Sequence, residues 1–372
     1  MNLQTAWCVL VAALTLGGPV AVLPAAEPVR VAGADSSLKL RQPQAAVNQQ
    51  GVIFVAMGAE NRLYCCRSSD AGLTYGDPVL VGQVSQLALG MRRGPRIAAD
   101  GKTVAITAID HACGNLLAWR SADAGDSWQG PVVVNRAERS AREGLHGMAQ
   151  GPDGFLYCVW LDLRGTGTEI YGASSTDGGG SWSENRRIYA SPSGTVCECC
   201  NPSVAGDSQG GIYVMWRNEI EGDRDMFACF SRDQGVTFSK ARKLGEGSWK
   251  LNACPMDGGH LAASAPGKVT TVWRRDHDLF RTTTGEPTEQ KLGAGMQPWV
   301  VGNSDGVWLA WITQRGGELL LSAPDALRPI SLDSQASDPM LASALGGKGP
   351  IVAVWESGNP RQPTIMAAVV SP

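Results

Sequence analysis

The sequence shows little excess of charge of either sign. Its 372 residues include 32 Lys and Arg against 35 Asp and Glu, which gives a formal net charge of −3. Proteins that bind nucleic acid usually concentrate Lys and Arg on one face or along one helix. No basic stripe is present in the sequence, so a nucleic-acid partner is not expected. Dinucleotide fingerprints, phosphate-binding loops and zinc-protease helices are missing as well.

Long hydrophobic runs are absent except at the N-terminus. Residues 6–16 are nearly all apolar, and Pro24, Ala25 and Ala26 follow them as a region of small residues. A short apolar segment before such a region is typical of a secretory signal peptide. We therefore predict a signal peptide over residues 1–26 and a single mature domain over 27–372 with no membrane span. The protein is expected to be secreted or periplasmic.

The ten cysteines fit an exported protein, because disulfides persist in oxidising compartments. Cys8 would leave with the signal peptide, so nine cysteines would remain in the mature protein. An odd number leaves at least one of them outside any disulfide, as a free thiol or as a thiol with another role.

Glycine is abundant, at 46 residues, and part of it belongs to a repeated motif. Four segments share the pattern Ser, any, Asp, any, Gly, any, Ser or Thr, aromatic. Their starts are separated by 53, 54 and 56 residues, and the segments are 68–75, 121–128, 175–182 and 231–238. Self-similarity at a nearly constant period predicts a repeat architecture.

The sequence around the motifs predicts four short strands in each repeat. A β-rich run such as residues 212–216 precedes the motif, and a short outer strand such as 132–134 follows it. Antiparallel units of four strands are the blades of a β-propeller. We therefore predict an all-β, closed propeller of seven blades, with six as the alternative. Residues 28–32 are expected to complete the last blade, which leaves no open sheet edge. The seven unit starts are Pro43, Pro95, Met148, Pro202, Pro255, Pro298 and Pro339.

The four motifs resemble the Asp box of the sialidase superfamily. The resemblance covers residues 39–245 well and the remainder loosely. It implies a turn between the third and fourth strands of a blade, in which Asp accepts backbone N–H groups and Gly supplies a positive φ. It also implies that this turn is remote from the active site. The aspartates expected to be structural are Asp70, Asp123, Asp177 and Asp233.

The same resemblance implies an arginine triad, a Tyr nucleophile assisted by Glu, and an Asp acid/base. Arg41, followed by Gln42 and Pro43, stands where the family has its first arginine. The family's Tyr falls late in the chain, but this sequence has no Tyr after Tyr213. Covalent catalysis needs its nucleophile. We therefore predict a glycan-binding propeller or a divergent glycosidase rather than a true sialidase.

Charged residues concentrate in the loops that should join the second and third strands of three adjacent blades. Arginine pairs bidentately with carboxylates, including those of acidic sugars, so these loops could bind a ligand. The alternative is that Asp–Arg pairs only hold the loops together. The candidate ligand-binding residues are Arg41, Asp162, Arg164, Arg217, Glu219, Arg224, Asp225, Arg274 and Asp276.

Cysteines and histidines occur in the loops that should join neighbouring blades. By repeat register the four cysteines are expected to meet near the central opening, on the face that carries the charged loops. Either a disulfide pins two blades together, or the side chains hold Cu or Zn, since thiolate and imidazole suit soft metals. The candidates are Cys197, Cys199, Cys200, Cys254, His146 and His260.

Three functional hypotheses therefore follow from the sequence. The first is a sialidase-like propeller whose partner is a glycan or an anionic small molecule. The second is a propeller that carries a Cys/His metal or redox site. The third is a non-catalytic scaffold for protein contacts.

Overall fold

The computed structural model describes residues 27–32, 37–286, 288–303, 305–346 and 349–371, and over these ranges the chain forms strands and turns but no helix. No described segment is therefore a helix that could cross a bilayer. The predicted signal peptide lies outside the described residues.

The described strands pair into six antiparallel sheets, of which five have four strands each. Strand β1 (Val29–Ala32) comes first in the chain and belongs to the last sheet. The first four-stranded sheet contains β2 (Arg41–Val47), β3 (Ile53–Ala59), β4 (Arg62–Ser68) and β5 (Val79–Gln83). The second contains β6 (Arg96–Asp100), β7 (Thr103–Asp110), β8 (Asn115–Ser121) and β9 (Gln129–Val133). The third contains β10 (His146–Gln150), β11 (Leu156–Asp162), β12 (Glu169–Ser175) and β13 (Arg186–Tyr189).

The fourth and fifth sheets repeat this arrangement, and the sixth sheet is larger. The fourth contains β14 (Ser203–Gly206), β15 (Ile212–Arg217), β16 (Met226–Ser231) and β17 (Arg242–Lys243). The fifth contains β18 (His260–Ala265), β19 (Lys268–Arg275), β20 (Asp278–Thr283) and β21 (Gln290–Ala294). The sixth contains β22 (Met296–Asn303), β23 (Gly306–Ile312), β24 (Gly317–Ser322), β25 (Ile330–Ala342), β26 (Ile351–Ser357), β27 (Thr364–Ser371) and β1.

Strand β25 serves two parts of the sixth sheet. Its first half pairs with β24, from Ile330 opposite Leu321 to Ala336 opposite Gly317. Its second half pairs with β26, where Ala342 lies opposite Val352. The sheet is therefore made of two four-stranded pairings that share β25. Strand β1 closes the second pairing along β27, as predicted for residues 28–32.

Burial of a strand depends on its place within the sheet. The second strands β3 and β11 are buried at every position, whereas the fourth strands β5 and β9 are mostly exposed. A strand covered on both faces reads as a continuous hydrophobic run, because a neighbouring sheet packs on each side. The core accordingly lies between adjacent sheets, for example where Tyr157 and Val159 of β11 join Val214 and Trp216 of β15. The all-β architecture of four-stranded antiparallel sheets is thus confirmed, while the number of blades stays a prediction.

Each of the four motif turns joins a third strand to a fourth strand and is held by one carboxylate. Asp177 accepts the Ser181 N–H at 2.9 Å and the hydroxyls of Ser175 and Ser181 at 2.8 and 2.7 Å. Gly179 has a φ of +94°, which a side chain would strain. Asp70, Asp123 and Asp233 make the equivalent contacts.

These hydrogen bonds stabilise the ionised aspartates. Contacts from Thr74 and from Ser127 lower the pKa of Asp70 and of Asp123, in each case to about 2. Since strands alternate in direction, the motif turns lie at the end of each sheet opposite to the loops that join second and third strands. The turns are therefore separated from the face described next.

Candidate functional site

Three strands share the same backbone distortion, which lies near the start of β2 and β22 and within β25. Gln42 in β2, Gln297 in β22 and Asp338 in β25 each precede a proline and have φ values of 54°, 52° and 49°. The register of each strand shifts at that point. Such bulges redirect a side chain and often occur next to binding sites. A non-glycine residue in this conformation costs on the order of 1–3 kcal/mol, so surrounding contacts must hold it.

Acidic and amide side chains supply those contacts. The Gln42 N–H donates to Glu356 Oε1 at 2.7 Å, and the Gln297 N–H donates to Asp257 Oδ2 at 3.0 Å. The Gln297 side chain accepts the Asp338 N–H at 2.9 Å and donates to Asp338 Oδ1 at 3.0 Å. The three distorted strand segments are therefore hydrogen-bonded to a set of buried polar groups.

Arg41 and Glu356 connect the first sheet to the last. The Arg41 Nε donates to Glu356 Oε1 at 3.1 Å, and Nη2 donates to Oε2 at 3.1 Å. Burial, together with the negative charge of Asp338, raises the pKa of Glu356, although the Arg41 charge opposes the shift. Arg41, proposed from the sequence as a ligand-binding residue, thus lies at the predicted face but already has a carboxylate partner.

Arg92 is a buried cation with unused donors. Its side chain lies over the Trp299 ring, 5.1 Å from the centroid, and Nη2 donates to the Pro298 carbonyl at 3.4 Å. Nε and Nη1 have no hydrogen-bond partner among the described residues. The charges of Asp257 and Asp338 act on the guanidinium and favour its protonated form, although burial lowers the pKa of Arg92.

These residues form one connected group, which we call the inner-strand cluster. It holds three acidic, two basic and two amide side chains, and most of them are buried. Asp257 Oδ1 and Gln42 Nε2 are further buried atoms without a partner in the described part of the chain. The members are Arg41, Gln42, Arg92, Asp257, Gln297, Asp338 and Glu356.

The charged side chains in the loop of the third sheet pair with each other. The Arg164 Nε and Nη2 donate to the two oxygens of Asp162, each at 2.8 Å, and the Trp160 Nε1 donates to the same carboxylate at 2.7 Å. The Arg164 guanidinium also lies over Tyr171, 3.9 Å from the ring centroid. Asp162 is fully buried. The Asp162–Arg164 pair therefore holds its own loop together. This is the alternative that the sequence left open beside ligand binding.

The candidates of the fourth and fifth sheets converge on Trp249. Arg217 and Arg274 lie 5.2 and 5.1 Å from the centroid of its ring. The Arg217 Nη2 donates to the carbonyls of Asp257 and Arg274, whereas the Arg274 Nε donates to Asp257 Oδ2 at 2.8 Å. Arg274 therefore touches the inner-strand cluster directly, and Arg217 touches it through the Asp257 backbone.

The remaining ligand candidates support loops or face the solvent. Asp225 accepts the hydroxyl of Ser248 and the N–H of Trp249, and Glu219 accepts the Gly222 N–H. The Arg224 carbonyl accepts a hydrogen bond from Arg217 Nη1 at 2.6 Å. Asp276 is exposed and has a φ of 57° in the turn after β19. These four side chains do not join the inner-strand cluster through any hydrogen bond between described residues.

Three of the predicted cysteines meet, and they lie in the loop between β13 and β14. The Sγ atom of Cys197 is 3.7 Å from that of Cys199 and 3.7 Å from that of Cys200. Cys197 and Cys200 are buried, and Cys199 is partly exposed. Burial opposes ionisation of Cys200, but hydrogen bonds from the other two thiols and the charge of Arg217 lower the pKa of Cys200 well below its usual value.

The expected disulfide is absent, and the other candidates lie elsewhere. All nine cysteines of the described chain are free thiols, and 3.7 Å is far beyond a disulfide bond of about 2.05 Å. Cys254 is exposed and is not part of the sulfur group. The prediction that it lies near the other three stays a prediction.

The two histidines belong to inner strands rather than to the sulfur group. His146 is buried with Nε2 3.1 Å from the Thr107 hydroxyl. His260 stacks on Trp299 with 3.8 Å between ring centroids, and burial lowers its pKa to about 3. Both are therefore neutral packing residues, and neither belongs to the group of three sulfurs.

Two cavities are lined by residues outside the inner-strand cluster. A cavity of about 190 Å³ lies among seven inner-strand segments, from β2, β6, β10, β14, β18, β22 and β25, and His260 and Trp299 line it. A larger one, about 720 Å³, lies between the fourth and fifth sheets and is lined by Tyr213, Phe230 and Arg242, among others. Neither cavity is lined by a member of the inner-strand cluster, so volume alone does not identify the site.

The sequence analysis missed most of the cluster, including Arg92, Asp257 and Glu356. One signal was available: Gln42, Gln297 and Asp338 are polar residues directly before a proline that opens a repeat unit. Arg92 likewise stands shortly before Pro95. Glu356 carries no such signal, because in the sequence it only ends a hydrophobic run, as many exposed residues do.

Solved structures with the same architecture cover nearly the whole chain. A protein of unknown function from Dyadobacter fermentans DSM 18053 is 15% identical, with a TM-score of 0.55 over 92% of this chain and 97% of its own. The GH93 α-L-arabinofuranosidase of Fusarium graminearum in complex with arabinobiose is 14% identical, with a TM-score of 0.51 over 93% of this chain and 97% of its own. The matches also include Hadza microbial sialidase Hz136, 13% identical, with a TM-score of 0.49 over 91% of this chain and 67% of its own.

The chain has the fold of the GH93 α-L-arabinofuranosidase of Fusarium graminearum. No protein-family model and no curated protein sequence matches it. At these identities, the similarity establishes the fold alone.

Within this fold, the tyrosines of the described chain make no hydrogen bond to the inner-strand cluster. Tyr213 donates to Asp207 Oδ2 at 2.8 Å and accepts the Gly267 N–H at 3.0 Å, at the wall of the larger cavity. Tyr189 accepts a hydrogen bond from Asn218. No hydrogen bond joins a tyrosine of the described chain to a cluster residue.

Proposed function

We propose that this protein is an exported, sialidase-like propeller that binds a glycan or another small ligand carrying a carboxylate. The binding site is the inner-strand cluster. On this proposal the protein is not a Tyr-dependent sialidase.

The observation that carries the proposal is the guanidinium of Arg92. It is buried, and two of its three nitrogens have no partner among the described residues. A buried charge normally requires a paired and hydrogen-bonded partner, because its desolvation is costly. A ligand carboxylate supplies that partner, and hydrogen bonds from a guanidinium to a carboxylate are among the strongest in proteins.

The neighbouring groups complement a polyhydroxylated ligand. Asp257 Oδ1 is an unused acceptor and Gln42 Nε2 an unused donor, so each could contact a sugar hydroxyl. Asp257 is held in place by Arg274 and by the Gln297 N–H. A site whose side chains are already held by other contacts binds with less loss of conformational freedom.

The fold supports a binding site at this position. We infer a single closed propeller of seven blades over residues 27–372, because seven inner-strand segments line one central cavity and two four-stranded pairings share β25. The Arg41–Glu356 pair joins the first and last of these units. In this geometry the cluster lies at one end of the central opening, where propellers commonly bind ligands.

Fold analogy points to the same class of ligand. The matching GH93 structure is described as an α-L-arabinofuranosidase in complex with arabinobiose. Because one fold hosts many functions, this similarity raises the expectation of a glycan but does not select one. Selection of an anionic ligand rests on Arg92.

Binding to Arg92 can be tested with two arginine variants on the same face. Calorimetry would compare N-acetylneuraminic acid, glucuronic acid and neutral arabinobiose as probes for the wild type, Arg92→Met and Arg164→Met. We expect an acidic probe to bind, and Arg92→Met to weaken it about 10-fold to 100-fold, because a hydrogen bond to a charged group contributes about 1.5–3 kcal/mol.

Arg164→Met is the matched control, since Arg164 is already paired with Asp162. It should leave the affinity nearly unchanged. Equal binding of the acidic probes to the wild type and Arg92→Met, or preference for neutral arabinobiose, would overturn the proposal.

A further inference from the structure

The three sulfurs of Cys197, Cys199 and Cys200 form a group that the binding site does not use. Their ligand atoms all lie within 4.8 Å of one another. Other cysteines of the described chain, such as Cys158 and Cys229, lie singly in strands and pack as small apolar residues. The sulfur group therefore differs from the cysteines that serve the core.

The surrounding loop holds the sulfurs together without any bond between them. The Cys197 N–H donates to the Arg217 carbonyl at 3.1 Å, and the Val196 N–H donates to the Thr168 carbonyl at 3.0 Å. Glu198, between the cysteines, is turned aside by hydrogen bonds from the hydroxyls of Thr168 and Thr195, each at 3.1 Å. The backbone thus presents three sulfurs on one side and the carboxylate on another.

The spacing of the sulfurs suits a shared metal ion. A zinc–sulfur bond of about 2.3 Å at the tetrahedral angle separates two sulfurs by about 3.8 Å. The measured separations of 3.7 Å agree with that value. A disulfide would join two sulfurs and leave the third unpaired in the same buried space.

Arg217 places a buried positive charge beside the loop that carries the three sulfurs. Its guanidinium is 1% exposed, and among the described residues it donates only to the carbonyls of Arg224, Asp257 and Arg274. No carboxylate lies within ion-pair distance of it in the described ranges. A buried cation without an acidic partner is costly, and it lies against the loop that carries the sulfurs. Three thiolates beside one metal ion leave a negative charge that Arg217 offsets.

We propose that Cys197, Cys199 and Cys200 bind one thiophilic d¹⁰ metal ion, Zn²⁺ or Cu⁺, through three thiolates. Soft thiolate ligands select these two ions, and three protein ligands leave one coordination position open on a tetrahedral ion. The partly exposed Cys199 marks the side from which the ion enters. Binding requires the loss of thiol protons, so the affinity rises with pH.

The site adjoins the inner-strand cluster but is independent of the proposed ligand. Arg217 donates to the Asp257 carbonyl, and the Asp257 carboxylate belongs to the cluster. Metal binding by the cysteines requires neither Arg92 nor a glycan. Failure of one proposal therefore leaves the other intact, because Arg92→Met removes the first ligand contact and Cys199→Ser removes a metal ligand.

The test uses the full mature protein, reduced and stripped of metal with a chelator. Zn²⁺ alone and Cu⁺ alone would then be titrated in separate experiments, with native mass spectrometry for stoichiometry and X-ray absorption for coordination. We expect one ion per chain, with three sulfurs at about 2.3 Å from it for zinc. The ion that binds with the higher affinity in these titrations identifies the metal.

Cysteine variants assign the ligands. Cys199→Ser should weaken binding by more than about 100-fold, since even groups outside the ligand set change metal affinity 10–100-fold. Cys254→Ser, a substitution of an exposed cysteine outside the group, should leave the affinity unchanged. Cys199 is partly exposed, so its variant is expected to fold, which circular dichroism would verify.

Two results would overturn the proposal. One is metal binding that Cys199→Ser does not weaken. The other is an untreated protein in which mass spectrometry finds two of the three cysteines joined as a disulfide, with no ion bound after reduction.

Discussion

The carboxylate of Glu356 accepts two hydrogen bonds from the guanidinium of Arg41, a residue 315 positions earlier in the chain. The same carboxylate accepts the Gln42 N–H at 2.7 Å. One buried side chain therefore joins the last sheet to the first and stabilises the left-handed conformation of Gln42. No local pattern in the sequence links these two regions.

The pH dependence of stability should report on Glu356. Burial raises its pKa, so the folded protein binds a proton more readily than the unfolded chain. Its contribution to stability is then present below the ordinary Glu pKa of about 4.3 and declines as the pH rises through the raised value. We expect wild type to lose stability relative to Glu356→Gln over that range. Urea denaturation of both proteins between pH 4 and 7 would measure the difference, and an increase with pH would show that Arg41 dominates instead.

Asp177→Ala should destabilise the protein without affecting ligand binding. The variant removes the acceptor of the Ser181 N–H and of two hydroxyls, and we expect the free energy of unfolding to fall by about 1–2 kcal/mol. Thr176→Ala, at the exposed neighbouring position, is the control. Loss of ligand affinity in Asp177→Ala at an unchanged melting temperature would assign the turn a role in binding.

Sialoside hydrolysis should be weak or absent. The nucleophile of the sialidase mechanism is a Tyr late in the chain, and this sequence has no Tyr after Tyr213. The Tyr213 hydroxyl donates a hydrogen bond to Asp207. A fluorogenic sialoside assay at saturating substrate tests the prediction. A turnover on the order of 10 per second, as is common for enzymes, would show that another group acts as nucleophile.

The mature protein should begin near residue 27. The apolar run over residues 6–16 predicts cleavage of about 25 residues during export. N-terminal sequencing of the protein from the periplasm or medium would locate the cleavage site. Recovery of soluble cytoplasmic protein with Met1 intact would contradict the prediction.

The repeat explains why much of the fold was predictable. A local turn motif such as residues 175–182 determines its own geometry through short-range hydrogen bonds, and its recurrence sets the spacing of the sheets. The same logic located the cysteine loop and the charged loops. The predicted meeting of Cys254 with the other three cysteines stays a prediction.

The candidate site was less predictable from the sequence. Arg164 and Asp162 are two residues apart and form a pair, so a conspicuous sequence pattern turned out to hold its own loop. Arg92 acquires its significance from Asp257 and Asp338, which are distant in sequence. Proximity in a ring of strands depends on which inner strands face one another, and composition does not encode that.

The sequence by itself thus determined the repeated turn, the four-stranded unit, the all-β class and the grouping of three cysteines within one loop. These depend on interactions between residues close in the chain. Only the tertiary structure decided which charges pair, which remain available, and where they meet. Arg41 reaches Glu356, and Arg92 has no hydrogen-bonded carboxylate among the described residues, because packing between sheets decides which distant side chains meet.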